Sequence, residues 1–197
     1  MRVLTKKIWG PMAWYLLHEF SMNNHHKISE NKKHNYYIFY TSFIYVLPCE
    51  MCSNHYSDII YNINILEECK INRLYLMRWC FKTHNIVNEF LNKPKYSYKN
   101  FIDDYKKIDK TTSHKYIFII LNLTFNQFDF NKISLYKYDQ IYNFFINFCL
   151  LFPDFNKRKQ LKRIISNISF KNVKTPKQFK EWFSKNILYI KNIIYLH

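Results

Sequence analysis

Two cysteines in the run Pro48-Cys49-Glu50-Met51-Cys52 are the sharpest chemical feature of the sequence. Pro suits the first turn of a helix, because its missing N–H has no intrahelical partner there. A helix starting here would favour the Cys49 thiolate through its dipole and its unpaired N–H groups. Such a pair can close a small disulfide ring and exchange it with another thiol. It can equally be half of a zinc site, with Cys49, Cys52, Cys80 and His84 as a Cys3His set. On the cysteines alone the two chemistries stand level.

Two other segments add context. Trp14 and His18 are spaced by one helical turn, so both rings can cover one surface. His84 and Asn88 repeat that spacing, and Cys80 lies a turn earlier. Flat rings with amide donors suit a planar heteroaromatic cofactor. A lone Trp/His pair is more often core packing; two such segments together with the Cys49–Cys52 pair shift that balance toward a cofactor.

The elements that must position these residues are helical. Periodicity predicts a helix near 7–20, with Trp9, Ala13, Leu16, Leu17 and Phe20 on one face. A second is expected near 32–46 on Tyr36, Tyr40, Phe43 and Ile44, a third from Pro48 or Cys49 to about Tyr61, and a fourth near 72–92. Long helices with short connections predict a bundle. The best boundary is Lys93-Pro94-Lys95-Tyr96-Ser97-Tyr98, which divides the chain into 1–98 and 99–197. Beyond it, Tyr116–Phe125 reads as a buried helix or a strand, and Tyr138–Phe152 as a helix. Leu161, Ile164, Ile165 and Ile168 form one stripe; Phe179, Trp182, Phe183, Ile187 and Ile190 form another. The expected fold class is therefore all-α, with a mostly helical second half.

Composition narrows the function classes. One glycine in 197 residues nearly excludes glycine-rich phosphate loops. The surplus of Asn and Ile, 22 and 25 residues, is what an AT-rich genome encodes. The formal net charge is +16, with +6 in residues 1–100 and +10 in 101–197. That permits a polyanionic partner without establishing one, because the genome bias also enriches lysine. The run Lys157-Arg158-Lys159 with Lys162-Arg163 reads first as a solvated helix face. No apolar stretch reaches the roughly 20 residues of a membrane span, and the N-terminus lacks an apolar region of signal-peptide length. The expected location is cytoplasmic.

Taken together, these segments resemble the Erv/ALR family of FAD-linked sulfhydryl oxidases. The residues that carry the resemblance are Trp9-Gly10 with Trp14 and His18, the run Pro48–Cys52 with His55-Tyr56, and Trp79–Asn88 followed by Leu91, Lys93, Pro94 and Tyr96. Order and spacing agree over about residues 5–98. The resemblance implies a helical bundle holding FAD, with substrate dithiols oxidised to disulfides and O2 reduced to H2O2. It assigns Cys49 to exchange with substrate and Cys52 to face the flavin. It places Gly10, Trp14, His18, Cys80, His84, Asn85, Val87, Asn88, Leu91, Lys93 and Tyr96 at the cofactor and calls for no metal. A protein dithiol is the expected substrate and a homodimer the expected assembly. Nucleic acid is the less favoured partner. His55 is read either as tuning a thiolate or as an ordinary packed histidine.

The sequence departs from the family pattern in three places. The usual partner of Cys80, about 17 residues later, is replaced by Ser97. A second closely spaced redox pair is missing, since only Cys69 and Cys149 remain, so substrates are expected either to reach Cys49 directly, the simpler route, or to pass through Cys69 or Cys149 as an improvised relay. Leu47 stands where an aromatic residue often precedes the proline. The half 99–197 lies outside the shared motifs and is expected to be an accessory domain. Such an addition to a minimal oxidase, with AT-rich composition, resembles the enzymes of large DNA viruses, for which host cytoplasm or virion is the expected location. The rivals to the oxidase reading are the zinc-stabilised module and a basic nucleic-acid-binding protein on an inactive oxidase fold.

Overall fold

The structure is a computed structural model that describes residues 6–22, 28–63, 73–107, 116, 119–120 and 132–195. Among these residues there are helices and no strand. The order is α1 (Lys6–Met22), α2 (Glu30–Ser42), a 3-10 turn (Phe43–Val46), α3 (Glu50–Asn62), α4 (Arg73–Phe90), α5 (Tyr98–Lys107), α6 (Leu135–Leu151), α7 (Phe155–Ser166), a single turn α8 (Ile168–Lys171) and α9 (Pro176–Tyr195).

The expected face of α1 is the one it buries: Trp9, Ala13, Leu16, Leu17 and Phe20 are all in the core. That face packs against α4. Pro11 lies inside α1, where it removes the bond its N–H would give to the Lys7 carbonyl. The helix expected near 32–46 has two parts. Thr41 Oγ1 donates to the Tyr37 carbonyl at 2.8 Å, and Ser42 Oγ donates to the Ile38 carbonyl. These back-bonds compete with the backbone ladder, and the chain tightens into the 3-10 turn that delivers it to Pro48. Tyr40 Oη donates to the Leu17 carbonyl at 2.9 Å and ties α2 to α1.

Cys49 is the N-cap of α3, and its sulfur accepts from the Cys52 N–H at 3.3 Å. The C-terminus of α4 is closed by Asn92 in the left-handed region, φ 52°, with Lys93 N–H donating to the Asn88 carbonyl at 2.8 Å. The chain then runs extended through Pro94 into α5. That helix lies past the boundary expected at residue 98 and packs on α1, with Phe101 buried beside Met22 and Met77.

The second half is built on α6, which packs against α2, while α7 packs against α6 and α9. Its core joins that of the first half: Phe39 stacks on Phe20 at 4.5 Å and on Phe144 at 5.1 Å. Further in, Phe145 meets Phe179, Trp182 and Phe183 at 5.8–5.9 Å. Burying each such ring is worth roughly 1.5–3 kcal/mol. Thr175 caps α9, Pro176 fills its first position, and Gln178 reaches back to the Lys174 and Thr175 N–H groups.

One predicted stripe is broken. Leu161 and Ile164 are buried, but Ile168 is 74% exposed. Asn167 ends α7, and its side chain accepts from the Ser169 N–H at 3.1 Å, starting the separate turn α8. The segment expected at 116–125 lies mostly outside the described residues, as does Cys69. In the basic run, Lys157 Nζ donates to the Ile194 carbonyl and Arg158 Nη1 to the Phe152 carbonyl. Two of its five cations therefore tie down helix ends. No described helix is long and apolar enough to cross a membrane.

Candidate redox and cofactor site

A cleft of about 480 Å³ is walled by α1, α3, α4 and α5. Trp14 and His84 stand on its wall and stack on each other, centroids 4.1 Å apart and planes 9° apart. His18 lies beside them, its Nε2 3.3 Å from His84 Nδ1. The edge of the His18 ring meets Phe101 at 4.6 Å. Burial holds His18 well below the ordinary histidine range, with a smaller push from His84. Burial, helped by the Lys93 ammonium, takes His84 down to about 4. Both rings are therefore neutral near pH 7, and one N–H can be shared between them.

The Cys49–Cys52 pair closes the cleft at α3. Cys49 and Cys52 form a disulfide with Cα atoms 5.2 Å apart. Cys52 lines the cleft and Cys49 does not, so the bond has an inner and an outer sulfur. The cause is local: Cys49 sits before the first turn as N-cap, and Cys52 is carried inward by that turn. Leu47, Met51, His55, Phe90 and Leu91 line the same region. His55 stacks on Phe90 at 3.7 Å, and burial lowers its pKa against a smaller opposing effect of Asp58.

The remaining sequence-predicted residues fall into two groups. Gly10, Val87, Asn88, Leu91, Lys93 and Tyr96 line the cleft. A Cβ on Gly10 would meet no protein atom within 4 Å, so the protein's own packing does not require glycine there. Asn85 works one step back. Its Nδ2 donates to the Tyr96 carbonyl at 3.0 Å and its Oδ1 accepts from the Tyr96 N–H at 2.7 Å. That pair of hydrogen bonds fixes the extended segment after α4. Cys80 stands off the cleft. It is fully buried, near Ser21, and burial pushes its thiol pKa up.

Cys80 and Cys149 are free thiols. The four residues of the zinc alternative are not assembled: two share a disulfide, Cys80 is in the core, and His84 is stacked on Trp14. Among the described residues no group of three or more His, Cys, Asp or Glu is placed to hold a metal.

Sequence reasoning missed the contribution of α5. Phe101, Asp104 and Tyr105 line the cleft, and Tyr96 Oη donates to the Asp104 carboxylate. Their i, i+3, i+4 spacing was the available signal. Lys6, Lys7 and Tyr15 were missed on α1. Among the described residues Asp104 is the sole carboxylate on a wall that carries Lys6, Lys7 and Lys93.

A disulfide whose inner sulfur opens on a ring-lined, cation-rimmed cleft in a helical bundle defines a dithiol oxidoreductase built around a planar cofactor. The comparisons with known proteins agree. Residues 11–106 match the family model described as Erv1 / Alr. A protein of Acanthamoeba polyphaga mimivirus, whose name describes an FAD-linked sulfhydryl oxidase, is 31% identical over 114 residues, covering 56% of this chain and 80% of that protein. A similarly named protein of Invertebrate iridescent virus 3 is 30% identical over 102 residues, covering 51% of this chain and 67% of its own. No solved structure matches the chain. The chain belongs to the Erv1/Alr family.

Proposed function

We propose that the protein is an FAD-linked thiol oxidase that makes disulfides in protein dithiols. The observation that carries this is the asymmetry of the redox pair, with Cys52 on the cleft wall and Cys49 outside it. The residues present fit FAD. The cleft lies within the ~300–1,000 Å³ typical of ligand sites. Trp14, His84 and Tyr96 offer flat faces to fused rings, and Lys6, Lys7 and Lys93 suit a diphosphate.

The thiol chemistry follows from the disulfide. A substrate thiolate attacks Cys49, the Cys49–Cys52 bond breaks, and Cys52 leaves as a thiolate. The second substrate thiol then displaces Cys49. The substrate loses two electrons and the protein pair gains them, leaving both cysteines reduced inside one helical turn. Trp14, His84, Tyr96 and the three lysines would hold FAD, which would supply the two-electron acceptor for the reduced pair, with O2 taking the two electrons and the two protons of the substrate thiols as H2O2. The neutral His18–His84 pair keeps positive charge out of the stacked wall, and Asn85 holds the segment that carries Lys93 and Tyr96 in place.

The oxidase core runs past residue 98 to include α5, whose Phe101, Asp104 and Tyr105 line the cleft, and the rest of the chain acts as an accessory half, with assembly as a homodimer in host cytoplasm or virion. The purified protein should be yellow, release FAD on denaturation, and consume O2 with H2O2 production when given dithiothreitol. A colourless protein that carries stoichiometric zinc and takes up no O2 overturns the reading.

A further inference from the structure

The accessory half reaches the segment that leads into the Cys49–Cys52 pair. α6 begins at Leu135, and its first turn meets the 3-10 turn that leads into Cys49. The Tyr136 and Tyr45 hydroxyls are 3.1 Å apart, and their rings meet edge-on at 5.6 Å. Lys137 lies within electrostatic reach of Glu50, the residue after Cys49. On the first turn of α6 Leu135 is 69% exposed and Tyr136 60%, and on the first turn of α3, beside Cys49 in sequence, Met51 is 56% exposed. The rest of α6 behaves differently, burying Tyr138, Ile141, Phe144, Phe145 and Phe148.

Disulfide exchange requires the incoming sulfur to approach Cys49 to bonding distance. A polypeptide bearing that thiol must therefore lie across the surface around Cys49. We infer that the first turn of α6, through Leu135 and Tyr136 together with Met51, is the seat for the polypeptide chain of a reduced protein substrate. The occupant is a dithiol segment flanked by apolar residues. The inference rests on the oxidase reading and gives it a substrate class. It also gives the accessory half a role in substrate binding. A small dithiol needs no seat, whereas a protein dithiol must be held while two exchanges occur. The Tyr45–Tyr136 contact positions that seat against the element carrying Cys49.

The test uses two synthetic peptides with a Cys-x-x-Cys dithiol, one flanked by leucines and one by serines. The wild-type protein should oxidise the leucine-flanked peptide with the higher kcat/KM. The double variant Leu135→Ser, Tyr136→Ser should lose at least fivefold on that peptide, erase the preference, and keep its flavin and dithiothreitol activity within twofold. Tyr136→Phe, which keeps the ring, should retain the preference. A second readout needs no turnover: a fluorescent leucine-flanked peptide with both cysteines replaced by serine should bind the wild type at least fivefold more tightly than the double variant. That binding difference can hold or fail whether or not the protein oxidises dithiothreitol, so the two readings fail separately. Unchanged peptide kinetics and binding overturn the inference, as does an equal loss toward dithiothreitol. A shift in oligomeric state with unchanged peptide kinetics also overturns it, by assigning the face to a second copy.

Discussion

The core and the cleft of the molecule use the same ring-rich composition in opposite ways. In the second half Phe144, Phe145, Phe148 and Phe152 are fully buried and meet other apolar rings. Around the cleft, Trp14 and His84 stack just as closely but remain half-exposed, next to lysines and a redox disulfide. The cysteines divide similarly. Cys149 is fully buried and its thiol pKa is raised by burial, which makes it inert, whereas Cys49 and Cys52 are half-exposed at a helix start. Aromatic content alone therefore marks no site. What marks one is rings left uncovered beside groups that can exchange electrons or protons.

The sharpest way to break this comparison is to truncate one ring in each region. Phe144→Ala should cost about 3–5 kcal/mol of stability, read by denaturant unfolding, while each folded molecule keeps its flavin. His84→Ala should do the reverse: a flavin content cut at least severalfold, and a melting temperature that falls because the cofactor no longer adds its mass-action stabilisation. Asn88→Ala should behave like His84→Ala. Full flavin occupancy with unchanged melting in both cleft variants would remove the distinction between the two regions.

A smaller effect comes from pH. Burial holds His18 and His84 below their unfolded pKa, His84 at about 4. The unfolded chain then binds more protons between about pH 6.5 and 4, so stability falls as pH falls through that window and is fully present above it. The melting temperature should drop by several degrees from pH 7.5 to 5, and less in a His84→Gln variant. A flat profile in the wild type would mean the histidines are not buried neutral.

Much of this was legible from sequence, for reasons that can be named. The apolar face of α1 follows from periodicity, which is local, whereas Pro48, expected in the first turn of α3, lies before its N-cap Cys49 and outside the helix. The end of α7 is local too but was hidden, because Ile168 keeps the apolar register while Asn167 breaks the helix by capping the next turn. Cys80 illustrates a second limit. It shares a helix face with His84 at i, i+4, yet the two residues differ enough in angle and height that one enters the core and the other the cleft. The role of α5 was hidden by Pro94, which ends a helix but does not end the site. Contacts between the halves, such as Tyr45 with Tyr136, join residues 91 apart and leave no local trace.

The central claim is that Cys52 is the sulfur facing the cofactor and Cys49 the one facing the substrate. Anaerobic mixing with excess dithiothreitol, followed by the flavin absorbance, tests it directly. The wild-type flavin should bleach within seconds to minutes. In Cys52→Ser the flavin should stay bound and remain oxidised over the same interval. Bleaching of the Cys52→Ser protein at the wild-type rate would show that electrons reach the flavin by another path, and would contradict the account.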